Sequence, residues 1–221
     1  MDRKTLTIRP SRCPAEIYDT LERIEAVYMS HRDHKSKRLA RKPDVLLVAE
    51  RGGEIVGASG LFLLDDDDAL ASTEKLFGLD LRDRVPRREL LEVGRVVSLS
   101  HDPRFFAAMM VAIRQAGAIE GRHYALACAK PRLLNRLARL DRPDLVTVEH
   151  LDACVQPSLT PQDCRGFFIE GEPPVVFLMT APAPGDGALP PAWGVSISLG
   201  PGPLPRVEDR WFDDSAPARV S

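Results

Sequence analysis

Two charged side chains, Glu92 and Arg95, stand in an otherwise apolar run, LLEVGRVVSL (90–99). A carboxylate and a guanidinium three positions apart are either a structural ion pair or the working groups of a site, since Glu accepts protons and Arg grips carboxylates in bidentate fashion. The run reads as a strand from Leu90 to Leu99, Ser100 to Pro103 as a sharp turn, and FFAAMMVAIRQAG (105–117) has the apolar spacing of a helix. A helix entered from a strand through a tight turn presents its first amide N–H groups to anions. This turn has no glycine; Asp102 stands instead as a helix N-cap, with Pro103 at the first helical position. In a regular strand residues three apart face opposite sides, so Glu92 and Arg95 reach one cleft only if the strand is irregular. Gly94, between them, is the expected site of a bulge.

The elements that must position this strand follow from periodicity. TLTIR (5–9) alternates like a short edge strand, and Pro14–Tyr28 carries Ile17, Leu21, Ile24 and Val27 on one helical face. A basic helix is expected over His31–Arg41. VLLVAE (45–50) and EIVGASGLFLL (54–64), joined through Arg51-Gly52-Gly53, predict an antiparallel hairpin. A helical patch near Ser72–Leu79 precedes the charged strand and its helix. HYALACA (123–129), LVTVEHL (145–151) and VVFLM (175–179) read as strands, and KPRLLNRLARL (130–140) as a short helix. The order predicts an α/β (α+β) domain over residues 1–180, a mixed sheet with helices on both faces. Residues 181–221 hold eight prolines and five glycines, which predicts a disordered or loosely draped extension.

Composition bounds the partners. The 221 residues are 44% hydrophobic and 28% charged, with net charge −2, as in soluble globular domains. No apolar run reaches the roughly 20 residues of a membrane span, and MDRKTLTIRP lacks a signal-peptide core, so a cytoplasmic location is expected. Cys13, Cys128, Cys154 and Cys164 form no CxxC pair, and Cys128 lies in an apolar strand as a small core residue. His31-x-x-His34 lacks further ligands at metal-binding spacing, and Asp65–Asp68 fits no calcium loop; no metal is expected. Basic residues concentrate in Arg32–Lys42 and again between Arg104 and Arg142. Such segments are either solvated helix faces or docking surfaces for an anionic partner. They lack interleaved aromatics, which argues against nucleic acid.

The element order, with a long central strand leading into a helix, resembles the GNAT-type acyltransferase fold. ELLEVGRVVSL (89–99) is similar to the E-x-x-R strand of acyl-homoserine-lactone synthases. LEVGRVVS also resembles the E-V-G-N-L-A strand of the thermostable hemolysin family, with Arg95 in place of its Asn. VLLVAERGGEIVGASGL (45–61), TEKLFGLDL (73–81) and AKPRLLNRLARL (129–140) extend the likeness over roughly residues 15–180. The branch also contains N-acyl amino acid synthases.

The resemblance implies a mostly antiparallel sheet with a splayed central strand, and a transferase that moves an acyl group from a phosphopantetheine thioester to an amine. Glu92 would be the general base, with His101 a second candidate, and Arg95 would orient a substrate carboxylate or hold Glu92 ionised. Backbone N–H groups of Val96, Val97 and Ser98 would meet the oxyanion. Arg104, Lys130, Arg132 and Asn135 would contact the donor arm. Arg38, Arg41, Arg136 and Arg139 would dock an acidic acyl carrier protein. Asp102, occupying amides that a coenzyme A pyrophosphate would need, favours the carrier protein over acyl-CoA. A retained fold without turnover, acting as a carrier-binding module, and a membrane-lytic protein are the other readings. The second lacks a basic amphipathic helix with aromatic anchors. Phe105, Phe106, Met109 and Met110 would line an acyl pocket or form an ordinary core stripe.

Overall fold

A computed structural model describes residues 5–30, 42–100, 102–138, 147–158, 160, 172–180 and 193–207. In chain order the elements are β1 (Leu6–Pro10), α1 (Pro14–Ser30), β2 (Val45–Arg51), β3 (Glu54–Leu63), α2 (Ser72–Phe77) and, after a 3-10 turn at Arg87–Glu89, β4 (Leu90–Ser98). Then come α3 (Phe105–Ile119), β5 (Tyr124–Ala129), α4 (Pro131–Ala138), β6 (Thr147–His150), β7 (Val175–Thr180) and β8 (Val195–Ile197). The eight strands form one sheet in the order β6-β7-β5-β4-β3-β2-β1-β8. Only β4 with β5 and β1 with β8 run parallel; the other neighbours are antiparallel.

Both faces of the sheet are covered, and the side-chain alternation of β4 shows how. Leu91 and Val93 turn to one face and join the core built with the α3 stripe of Phe105, Met109, Met110 and Ile113, together with Leu134 of α4. Leu90 turns to the other, where Phe77 of α2 packs with Leu126 and Val176. On that second face α1 adds Ile17, Leu21 and Ile24 over Leu46, Val48, Ala58 and Val97. Burying each such side chain contributes about 1.5–3 kcal/mol, so α1 is held by its stripe rather than by intrinsic helicity. The β2–β3 hairpin turns through Gly52 and Gly53, whose φ values of 62° and 87° suit glycine and a tight primed turn.

The C-terminal region departs from its expected form. Residues 193–207 do not drape loosely: β8 pairs with β1, Leu6 opposite Val195 and Ile8 opposite Ile197. Beyond it Leu204 is buried against the α3 side, Leu204 N–H and Arg206 bind the Glu120 carboxylate at the end of α3, and Val207 N–H reaches Asp44 O. Proline and glycine density hid a three-residue strand whose apolar positions are only Val195 and Ile197. The basic helix expected over His31–Arg41 and the C-terminal end of the helix expected over 130–140 lie outside the described residues.

Candidate active site

β4 is paired on both sides only at its beginning. It runs parallel to β5 through Leu90↔Tyr124, Leu91↔Ala125 and Glu92↔Leu126, and there the pairing stops. β4 continues along β3 to Ser98, while β5 continues along β7 to Ala129, so the two strands open into a V with Glu92 at its apex. This is the splay expected of the central strand.

The backbone of β4 is also irregular inside the V. Gly60 opposes Gly94 and Ala58 opposes Val97, so Ser59 faces both Arg95 and Val96. The extra residue is Arg95, at φ 57°, rather than Gly94. A left-handed arginine carries a backbone cost of about 1–2 kcal/mol, the kind of strain that structures retain where a side chain must be re-aimed. Gly94 is needed for another reason: a Cβ there would lie 2.8 Å from the Phe62 ring. The bulge shifts the alternation of the strand. Leu99 N–H donates to Val56 O, and the same register carries Gly57↔Ser98 and Ala58↔Val97, so Val97 turns its N–H to β3. The N–H groups of Val96 and Ser98 therefore face the open side of the V, and of the three expected oxyanion donors Val97 is displaced.

Glu92 and Arg95 do reach the same face. Phe62 is the cross-strand partner of Glu92, and the Arg95 guanidinium lies over the Phe62 ring, 5.5 Å from its centroid. Glu92 is 5% exposed and serves α2: its Oε1 accepts from Thr73 N–H and Thr73 Oγ1, both at 2.7 Å, and its Oε2 from Ser72 N–H at 3.0 Å. The carboxylate at the apex of the V is thus also the anchor for the start of a helix. Cys128, two residues past the apex on β5, has its thiol pushed up to about 12 by burial first and by the Glu92 charge second, against a Thr73 hydrogen bond. Its side chain is partly buried and packs against the core on the α2 side of the sheet.

α2 is itself fixed by a buried pair absent from the sequence reading. Arg87 Nη1 and Nη2 bind Glu74 Oε2 and Oε1 at 2.8 and 2.9 Å, with both side chains at most 2% exposed. Glu74 also accepts Ala71 and Leu81 N–H. Arg122 reaches the Arg87 and Leu64 carbonyls and the Asp65 carboxylate. Glu74 stands three residues after the N-cap Ala71, whose N–H it accepts, but its partner thirteen residues on leaves no local trace.

The turn into α3 runs two residues further than its sequence predicts. Phe105 N–H donates to Asp102 O and Arg104 N–H to Asp102 Oδ1, so Asp102 fastens the turn before α3, while the N-cap is Arg104 rather than the expected Asp102 and Pro103 lies in the turn. Its carboxyl is held below the usual carboxylate range by the Arg104 guanidinium, whose Nη2 lies at 2.7 Å, with Arg51 adding charge at 3.2 Å. Arg104 spends its remaining donors on the Trp193 and Gly194 carbonyls and so is engaged within the fold rather than turned to a donor arm. Ser98 Oγ donates to Ser100 O and serves the turn. An open groove of about 380 Å³ lies beside that turn, between Arg23, Ala26 and Val27 of α1 and Ser98 to Ser100.

The remaining expected contacts are scattered. Lys130 Nζ donates to Glu172 O, and its pKa is lowered chiefly by burial. Arg132 and Asn135 are exposed on α4, Arg132 lying 3.9 Å from Glu172. Arg38, Arg41, Arg139 and His101, and the Arg136 side chain, lie outside the described residues.

No protein-family model and no curated protein matches the chain. Solved structures do. The acyl-homoserine-lactone synthase LasI superposes with TM-score 0.58 at 9% identity, over 85% of this chain and 98% of that one. FeeM, an N-acyl amino acid synthase from uncultured soil microbes, gives 0.56 at 12% identity, over 80% and 91%. BjaI, a CoA-dependent acyl-homoserine-lactone synthase with bound SAM and isopentyl-CoA, gives 0.53 at 11% identity, over 89% and 94%. The chain has the GNAT-like fold in the form these synthases share, as its motifs implied.

Proposed function

We propose that the chain is an N-acyltransferase that moves an acyl group from a phosphopantetheine thioester to the amine of an amino acid or related small molecule. The observation that carries this reading is the V between β4 and β5, with the Val96 and Ser98 amides facing its opening and a carboxylate at its apex. A thioester arm laid along the open edge of β4 pairs with it as a missing strand would. Its carbonyl oxygen then meets N–H groups already aimed at the developing charge.

The acceptor enters from the side of α1 and α2, where Arg95 would hold its carboxylate. Its neutral amine attacks the thioester carbonyl carbon, the C–N bond forms, and the C–S bond breaks as the tetrahedral intermediate collapses. Glu92 takes the amine proton, directly or through water. The pantetheine sulfur, with a pKa near the roughly 8.5 of a cysteine thiol, leaves as a thiolate and takes up a proton from water.

The donor is proposed to be an acyl carrier protein. Asp102 supports this, because its carboxylate and carbonyl already use the Arg104 and Phe105 amides at the start of α3, where a pyrophosphate would otherwise bind. Either Arg132, Arg136 and Arg139, or Arg38 and Arg41, would dock the acidic carrier.

The hydrogen bonds from α2 favour one competing reading, a carrier-binding module in which Glu92 is only a helix anchor. Glu92→Gln separates the two, since an amide oxygen still accepts from Thr73 but takes no proton. Acyl loss from carrier proteins and acyl-CoAs, followed by intact mass with mixed amino acids, is expected to fall about 100-fold or more in the variant with the fold retained. Undiminished discharge by Glu92→Gln would remove Glu92 from the chemistry. Carrier binding with no discharge by the wild type would leave the module.

A further inference from the structure

The acyl group itself must occupy space, and the two faces of the V differ in what they offer. On the α3 side, β5 presents only Ala125, Ala127 and Ala129, a row of small side chains that starts opposite Leu91 and runs past the end of the pairing with β4 at Leu126. Their cross-strand neighbours on β7 are Met179, Phe177 and Val175. The row is a shallow floor, walled on one side by Phe177, which is 1% exposed, and roofed by α3 and by Leu134 of α4.

Two close approaches fix which α3 residues roof it. A Cβ on Gly57 would lie 2.2 Å from Phe105 Cε2, so the row Phe105, Met109, Ala112, Ala116 lies over β3 and the strands beyond. A Cβ on Gly117 would meet Leu91 of β4 at 3.0 Å, so the row Phe106, Met110, Ile113, Gly117 lies over β4 and β5. Phe106 and Met110 stand at the end of that row nearest the mouth of the V, 9% and 1% exposed. The stripe that sequence alone left undivided is therefore two rows, one over the closed sheet and one over the splay.

We propose that Phe106 and Met110 close the α3 side of the β4–β5 splay and restrict the transferred acyl group to short chains. The inference rests on the acyltransferase reading and adds to it the chemical class of the donor. An acetyl or butyryl group is accommodated over the alanine row by small side-chain shifts. A long chain would have to expel Phe106 or Met110 from a close-packed core, which costs binding.

The test is calorimetric titration of the whole chain with acetyl-, butyryl-, octanoyl- and dodecanoyl-pantetheine. Wild type, Phe106→Ala, Met110→Ala and the control Met109→Ala are compared, the control opening a hole in the neighbouring row. The expected result is tightest binding of the short chains by wild type. Octanoyl-pantetheine should gain about ten-fold or more in Met110→Ala or Phe106→Ala, and nothing in Met109→Ala. Octanoyl or dodecanoyl binding by wild type as tight as butyryl would overturn the proposal, as would an equal gain in Met109→Ala. Failure of every acyl-pantetheine to bind a folded wild type would instead overturn the acyltransferase reading itself.

Discussion

Glu92 and Asp102 illustrate how one carboxylate can be both part of a wall and a source of chemistry. Both were legible as residues of interest, because each is a charge in a place where charge is costly or useful: one inside an apolar strand, one at a helix start. What was not legible was their partners. Thr73 and Ser72, which hold Glu92, lie about twenty residues away, and Arg51, which supports Arg104 on Asp102, lies fifty-one away. The bulge was expected at Gly94 because glycine tolerates positive φ, yet Arg95 takes that conformation and Gly94 makes room for Phe62. Asp102 carries a pH dependence. Its folded pKa lies below the unfolded value near 3.9, so its stabilisation is present above that pH and is lost as pH falls through the folded value. Asp102→Asn is expected to melt below wild type at neutral pH, with the gap closing below about pH 4. Parallel melting curves at both pH values would contradict this.

Among the elements, those with strong local signals matched closely. The double-glycine hairpin, the α1 and α3 stripes, the apolar β5 and β7 runs and the short α2 all formed within a few residues of their expected bounds. Long-range partners decided the rest. α2 has only six residues, too few to be stable alone, and its position depends on the Glu74–Arg87 pair and on Glu92. Removing Glu74 leaves the buried Arg87 charge facing only Asp80, 3.6 Å away and half-exposed. Glu74→Gln should therefore cost about 3–5 kcal/mol by urea denaturation, with loss of any acyl transfer as α2 detaches from the apex. A loss below about 1 kcal/mol would show that Arg87 finds another partner or water.

At the scale of the whole molecule, the sheet has a first strand held between its second and its last. β1 would be an exposed edge without β8, and edges of that kind pair with other chains. A chain ending before Trp193 should unfold at lower urea and associate with rising concentration in sedimentation experiments, because it uncovers β1 and the site of Leu204. A monomeric truncation with an unchanged urea midpoint would exclude a structural role for residues 193–207. β8 escaped the sequence reading for the same reason that it matters: a three-residue strand gains its order almost wholly from the neighbour it protects.

That arrangement also sets a timetable. The guanidinium of Arg104, which locks the start of α3 beside the V, closes onto carbonyls ninety residues further along the chain. During synthesis α3 and β5 emerge and begin to pack long before Gly194 exists, so the nascent sheet waits with one edge bare and one helix end unfastened. The ribosome must deliver nearly all of the described chain before the start of α3 acquires its last hydrogen bonds.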